Sequence, residues 1–163
     1  MDVKQLRESI VRPTLQAIGM HSLAAEQLVL GTMAQESRFE YLKQLGNGPA
    51  LGLAQMEPAT HDDIWLNYLN YKPVLAEKVS RLGSKANMRS FGGVESPKPI
   101  ELVSNLSYAV AMCRVHYRRV PDALPSADDI EGLARYWKDH YNTHLGKGTV
   151  EEFIENFHLV QNH

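Results

Sequence analysis

The apolar positions of this chain recur mostly at intervals of three and four residues, the spacing of helices that bury one face. Residues 2 to 18 read as an amphipathic helix, disturbed near Pro13 and closed by Gly19. Ser22 is a good N-cap for a second helix, SLAAEQLVLGTMAQES, largely apolar and running to about Glu36. Residues 38 to 57 contain Gly46, Gly48 and Gly52 and read as a loop, in which the turn chemistry of "GNG" allows a short hairpin. Thr60 is placed to cap a helix over HDDIWLNYLN, and Pro73 to open another over KPVLAEKVSRLG that ends at Gly83. Residues 84 to 98, SKANMRSFGGVESPK, are polar and Gly-rich without a period, and read as an exposed loop. The longest helical pattern runs from Pro99 to Val120, with Leu102, Leu106, Ala109, Val110, Cys113 and Tyr117 on one face. Ser126 is positioned to cap ADDIEGLARYWKDHY, and Thr149 with Glu152 forms a capping box before VEEFIENFHLV.

No internal repeat, low-complexity tract or linker interrupts this pattern, so the expectation is one mainly α domain over residues 1–163. Composition supports a globular chain, with 44% apolar and 22% charged residues. A net charge of −2 gives no broad attraction to nucleic acid or to an anionic membrane. A DNA-binding reading would need the helix bearing Arg114, Arg118 and Arg119 as its recognition element, and the slightly acidic balance argues against it. Those arginines, with Arg89 and Lys98, read first as a solvated face. The one cysteine, Cys113, sits in YAVAMCRVHY and reads as a buried structural thiol. The start, MDVKQLRESI, has no secretory pattern and no segment reaches membrane-spanning length, which predicts synthesis in the cytoplasm. His140 and His144 are four apart, but no H-E-x-x-H is present and the helix is expected to end near Asn142, so no metal site is expected.

Glu36 is the residue out of place. It closes an apolar helix at the negative end of the helix dipole, where a carboxylate is disfavoured by about 0.3–1 kcal/mol. A carboxyl desolvated by helix residues and covered by a Gly-rich loop stays protonated to higher pH. Such a group is suited to general-acid work, including protonation of a glycosidic oxygen. Its bland reading is an exposed residue at a helix end. Tyr136, Trp137 and Tyr141, taken singly, read as core.

Three segments carry a resemblance. Glu36-Ser37, then GLAQM at 52 to 56, then Tyr141-Asn142 resemble, in order and rough spacing, the signatures of the soluble lytic transglycosylases. Those enzymes share the lysozyme-like fold with goose-type lysozymes. Ala54 stands where the family usually has methionine, with Met56 just beyond Gln55. The segment WKDHYNTHLGKGT is more similar to the version in phage-encoded members. The resemblance implies a lysozyme-like fold acting on peptidoglycan glycan strands, with Glu36 as sole acid/base. It implies that Ser37 orients the acid or contacts N-acetylmuramic acid. Gln55, Met56 and the backbone of Gly52 and Leu53 would line the groove. Tyr141 would hydrogen-bond Glu36, supported by Asn142.

A lytic transglycosylase needs one carboxyl group, whereas a hydrolase normally uses two. Glu40 and Glu57 are the candidates for a second; Asp62 and Asp63 read as first-turn residues of their helix. The one-carboxyl reaction is favoured, with a hydrolytic muramidase or a non-catalytic glycan-binding virion module as alternatives. No cofactor, metal or membrane insertion is expected, and the chain is expected to act as a monomer. The clustered arginines gain a functional alternative, contact with an anionic cell-wall polymer. Reaching a substrate outside the cytoplasm implies delivery by a phage particle or a lysis system.

Overall fold

The computed structural model describes residues 1–142 and 145–161 and is mainly helical. The first helix is built in three windings. α1 (Val3–Leu6) is capped by Asp2, whose carboxylate accepts the Gln5 N–H at 2.8 Å, and α2 spans Arg12–Ala17. Between them Arg7–Val11 is π-wound, and the Arg12 N–H reaches back to the Arg7 carbonyl. This wider turn falls just before Pro13, which lacks an N–H and would crowd the preceding turn of a regular helix.

α3 (Leu23–Ser37) is the axis of the domain. Ser22 caps it as expected, accepting the Ala25 N–H. Leu28, Val29, Leu30 and Met33 are fully buried, each contributing about 1.5–3 kcal/mol on transfer from water. The helix is covered by α2 and by elements from the second half of the chain. These are α7 (Leu106–Arg118), α8 (Ile130–Trp137), α9 (Val150–Asn156) and α10 (His158–Gln161). Thr149 and Glu152 form the expected capping box of α9, and Cys113 is fully buried on α7.

Several boundaries differ from the sequence expectation, each for a local reason. α4 (Pro58–Asn67) begins with Pro58 in its first turn, so Thr60 lies inside the helix and does not cap it. α5 (Pro73–Ser80) opens on Pro73 as expected and ends just before Gly83. The pattern from Pro99 to Val120 is broken: α6 (Glu101–Ser104) stops where Asn105 turns extended. Asn105 caps α7 by accepting the Tyr108 N–H, and donates to the Leu82 carbonyl and to Glu101. α8 is capped by Asp129, which accepts the Gly132 N–H, while Ser126 donates to Asp128 instead.

The β-structure lies in 84–98, which was expected to be a loop. β1 (Met88–Phe91) and β2 (Val94–Pro97) pair antiparallel through a two-residue turn, Gly92-Gly93, both at positive φ. The expected loop at 38–57 has no strand, only isolated backbone pairs Lys43–Leu51 and Leu51–Met56 and a short 3-10 turn at Leu45–Asn47. Among the described residues no helix is long and apolar enough to cross a membrane.

Candidate functional site

The C-terminus of α3 opens into a groove of about 910 Å³. Gln35, Glu36, Ser37 and Arg38 form one end of its lining. The loop adds Tyr41, Gln44, Leu45, Gln55, Met56 and Glu57; α7 and its end add His116 and Arg119. The far wall is Tyr141, Asn142 and Gly146, from the π-wound turn Lys138–Asn142 and the segment after it.

The backbone turns hard around this groove. Arg38 (φ 52°), Phe39 (φ 59°) and Gln55 (φ 48°) are all left-handed without being glycine. Such residues cost about 1–3 kcal/mol each and persist where the surroundings force them. Here the two consecutive left-handed residues end α3 abruptly, bury Phe39 and leave the last helical turn facing the groove. Gly52 (φ 74°) is needed for a further reason: a Cβ there would lie 2.3 Å from the Leu102 carbonyl oxygen.

Glu36 is half-buried, and its Oε1 accepts one hydrogen bond, from the Trp137 indole N–H at 2.9 Å. Burial pushes its pKa up to about 7, against a smaller lowering by the indole donor. Among the described residues no cation is paired with it. The carboxyl therefore stays half-protonated near neutrality, the condition that lets one group first give and then take a proton.

The other expected site residues fall into two groups. Gln55, Met56 and Asn142 line the groove, while Gly52 and Leu53 do not: Leu53 is core and Gly52 backs onto α6. The Gln55 amide donates to the Gly52 carbonyl at 2.8 Å, closing the loop on itself. Ser37 is buried and its hydroxyl donates to the Met33 carbonyl at 3.1 Å, so it is committed to the helix and not to the acid. Tyr141 does not bond Glu36. Its hydroxyl donates to the Ala54 carbonyl at 2.7 Å, tying the loop wall to the C-terminal wall. The Asn142 side chain accepts from Lys138 at 2.8 Å and gives Tyr141 no support. Of the candidate second carboxylates, Glu57 lines the groove and Glu40 is exposed outside it.

Of the cations expected to be solvated, Arg89 and Arg119 are ion-paired. Asp62 binds Arg89 of β1 and Asp63 binds Arg119 at 2.7 Å; since α4 starts at Pro58, both lie past its first turn. Arg114 is buried, contrary to the solvated reading. Its Nε and Nη1 have no partner.

His116, which the sequence did not single out, has its pKa driven down to about 4 by burial and by Arg119. Its Nδ1 accepts from Arg119 at 2.8 Å, which fixes a neutral ring with no nitrogen free to act as a base. Its ring meets Tyr141 edge-on at 4.7 Å. Trp137 was read as core, and it is, but a buried indole N–H needs an acceptor, and that requirement is the signal that could have marked it as the donor to Glu36. His144 lies outside the described residues; His140 pairs with Asp122 at 3.3 Å. Among the described residues no group of three or more His, Cys, Asp or Glu side chains is arranged to hold a metal ion.

Comparison with models of known families, with curated proteins and with solved structures finds no match to this chain.

Proposed function

We propose that the protein is a peptidoglycan lytic transglycosylase of lysozyme-like fold, cutting the β-1,4 bond between N-acetylmuramic acid and N-acetylglucosamine. The observation that carries this reading is Glu36: a carboxyl with a pKa near 7, with no cationic partner among the described residues, lining a large groove. Protonated Glu36 donates to the glycosidic oxygen as the bond breaks. The substrate's own N-acetyl group stabilises the cation at the muramic C1. The Glu36 carboxylate then removes the proton from the muramic C6 hydroxyl, and O6 closes on C1 to form the 1,6-anhydro ring. Atoms and charge balance without water, and Glu36 ends as it began. The chain acts as a monomer without a cofactor, and reaches the wall by way of a phage particle or a lysis system.

One observation favours a second reading, a hydrolytic muramidase: Glu57 is the one other carboxylate among the described residues that line the groove. Digestion of purified sacculi, read by mass spectrometry, separates the two. Released muropeptides should carry 1,6-anhydromuramic ends, and Glu36→Gln should lower their yield by at least about 10²–10⁴-fold, the usual contribution of a general acid. Ordinary reducing ends would replace the proposal with hydrolysis and make Glu57→Gln the next variant. No products from the wild type would leave a non-catalytic glycan-binding module.

A further inference from the structure

We propose that Trp137 is the positioning residue of the acid, and that the glycine segment clasped by Lys138 holds Trp137 in place, so that groove wall and acid are set as one unit. This rests on Glu36 being the acid.

An indole has one N–H and no acceptor, so it can only donate. Its 2.9 Å bond to Glu36 Oε1 suits both states of the carboxyl and leaves Oε2 to carry the proton. The ring is fully buried and cannot swing away. Phe153 lies against it with centroids 5.4 Å apart, and Gly148 closes the other approach, where a Cβ would fall 2.7 Å from the indole Cη2. Gly148 is itself held. The next residue after Trp137, Lys138, donates to Asn142 Oδ1 at 2.8 Å, to the Gly146 carbonyl at 3.0 Å and to the Gly148 carbonyl at 2.6 Å. Those bonds use all three ammonium hydrogens, so Lys138 has none left for a ligand. Asn142 and Gly146 are groove wall, and Gly148 is the prop behind the indole. A displacement of that wall is therefore passed through Gly148 and Trp137 to the carboxyl. The indole is also the one hydrogen bond that offsets burial at Glu36, so lengthening it makes the acid weaker.

The test begins with NMR of the indole N–H signals. The chain has two tryptophans, and Trp137→Phe identifies the signal of interest. In the wild type that signal should titrate with a midpoint near 7, and in Glu36→Gln it should be flat. In Gly148→Ala the midpoint should move to higher pH. Trp137→Phe, which keeps an apolar ring but no N–H, should lower kcat about tenfold with KM little changed, the loss expected for one bond to an ionisable group. The basic limb of its kcat profile should move up. A wild-type signal that is flat from about pH 4 to 9 would overturn the proposal, as would a Trp137→Phe protein with unchanged kcat and limb. An unmoved midpoint in Gly148→Ala would remove the glycine segment from it. Activity retained in Glu36→Gln would instead sink the functional reading, while the indole titration would still report on the coupling.

Discussion

α3 carries two glutamates ten positions apart, Glu26 buried and Glu36 half-buried, and their surroundings drive them in opposite directions. Glu26 has no exposed side-chain surface, and burial alone would raise its pKa; Arg12 at 2.7 Å and His21 at 2.7 Å outweigh that and lower it. Arg7 adds a second guanidinium at 3.6 Å. Glu36 is half-buried, has one neutral donor among the described residues, and is raised to about 7, burial being the largest cause. Burial penalises the ionised form of both; at Glu26 charged donors answer that penalty, and at Glu36 a single neutral donor does not. Glu101 extends the comparison. Burial works against its ionised form too, but Ser84, Asn87 and Asn105 supply several neutral donors and its pKa is lowered. A carboxyl becomes an acid useful near neutral pH only where the fold withholds partners.

The largest change in stability should come from Glu26→Gln. It strands Arg7 and Arg12 beside a neutral amide and should cost about 3 kcal/mol in denaturant unfolding, the low end for a broken buried pair because Arg12 is 39% exposed. Since the Glu26 pKa is depressed in the fold, its contribution is complete above the unfolded carboxylate range and disappears as pH falls through the folded value.

Glu36→Gln should act in the reverse sense. A folded pKa near 7, against 4.5 unfolded, destabilises the native state progressively as pH rises from 4.5 to 7. The variant should therefore be more stable than wild type by about 1–3 kcal/mol at pH 8 and no more stable at pH 4, read as unfolding midpoints at both values. A gain that is independent of pH would break the comparison. The smallest effect belongs to the exposed pair on α5: Glu77→Gln, facing Arg81, should change stability by less than about 0.5 kcal/mol.

Much of the local structure was legible in the sequence, because caps and helix periods are short-range. Ser22, Pro73 and the Thr149–Glu152 box act as their spacing implies. Glu36 stood out for the same reason, as a carboxylate at the wrong end of an apolar helix. What was not legible depends on partners distant in sequence. Asn105 breaks its helix and reaches Leu82, and the side chains of Asp62 and Asp63, inside α4, pair with Arg89 and Arg119. The donor to Glu36 was assigned to Tyr141, but Trp137 lies four residues earlier on the same helix face and its N–H arrives first. The hairpin was readable in principle, since Gly-Gly between Phe91 and Val94 is a two-residue turn; strands of four residues left too little period to see.

The hydrogen bond between Trp137 and Glu36 spans 101 positions of the chain, and Gln35 beside it is tied to Asn156 across 121. Contacts of such separation carry a loop-closure cost that slows folding. A nascent chain that has not yet emerged as far as Trp137 carries Glu36 as an ordinary solvated carboxylate. Glu36 thus acquires its partner only once Trp137 has been made and has packed against α3.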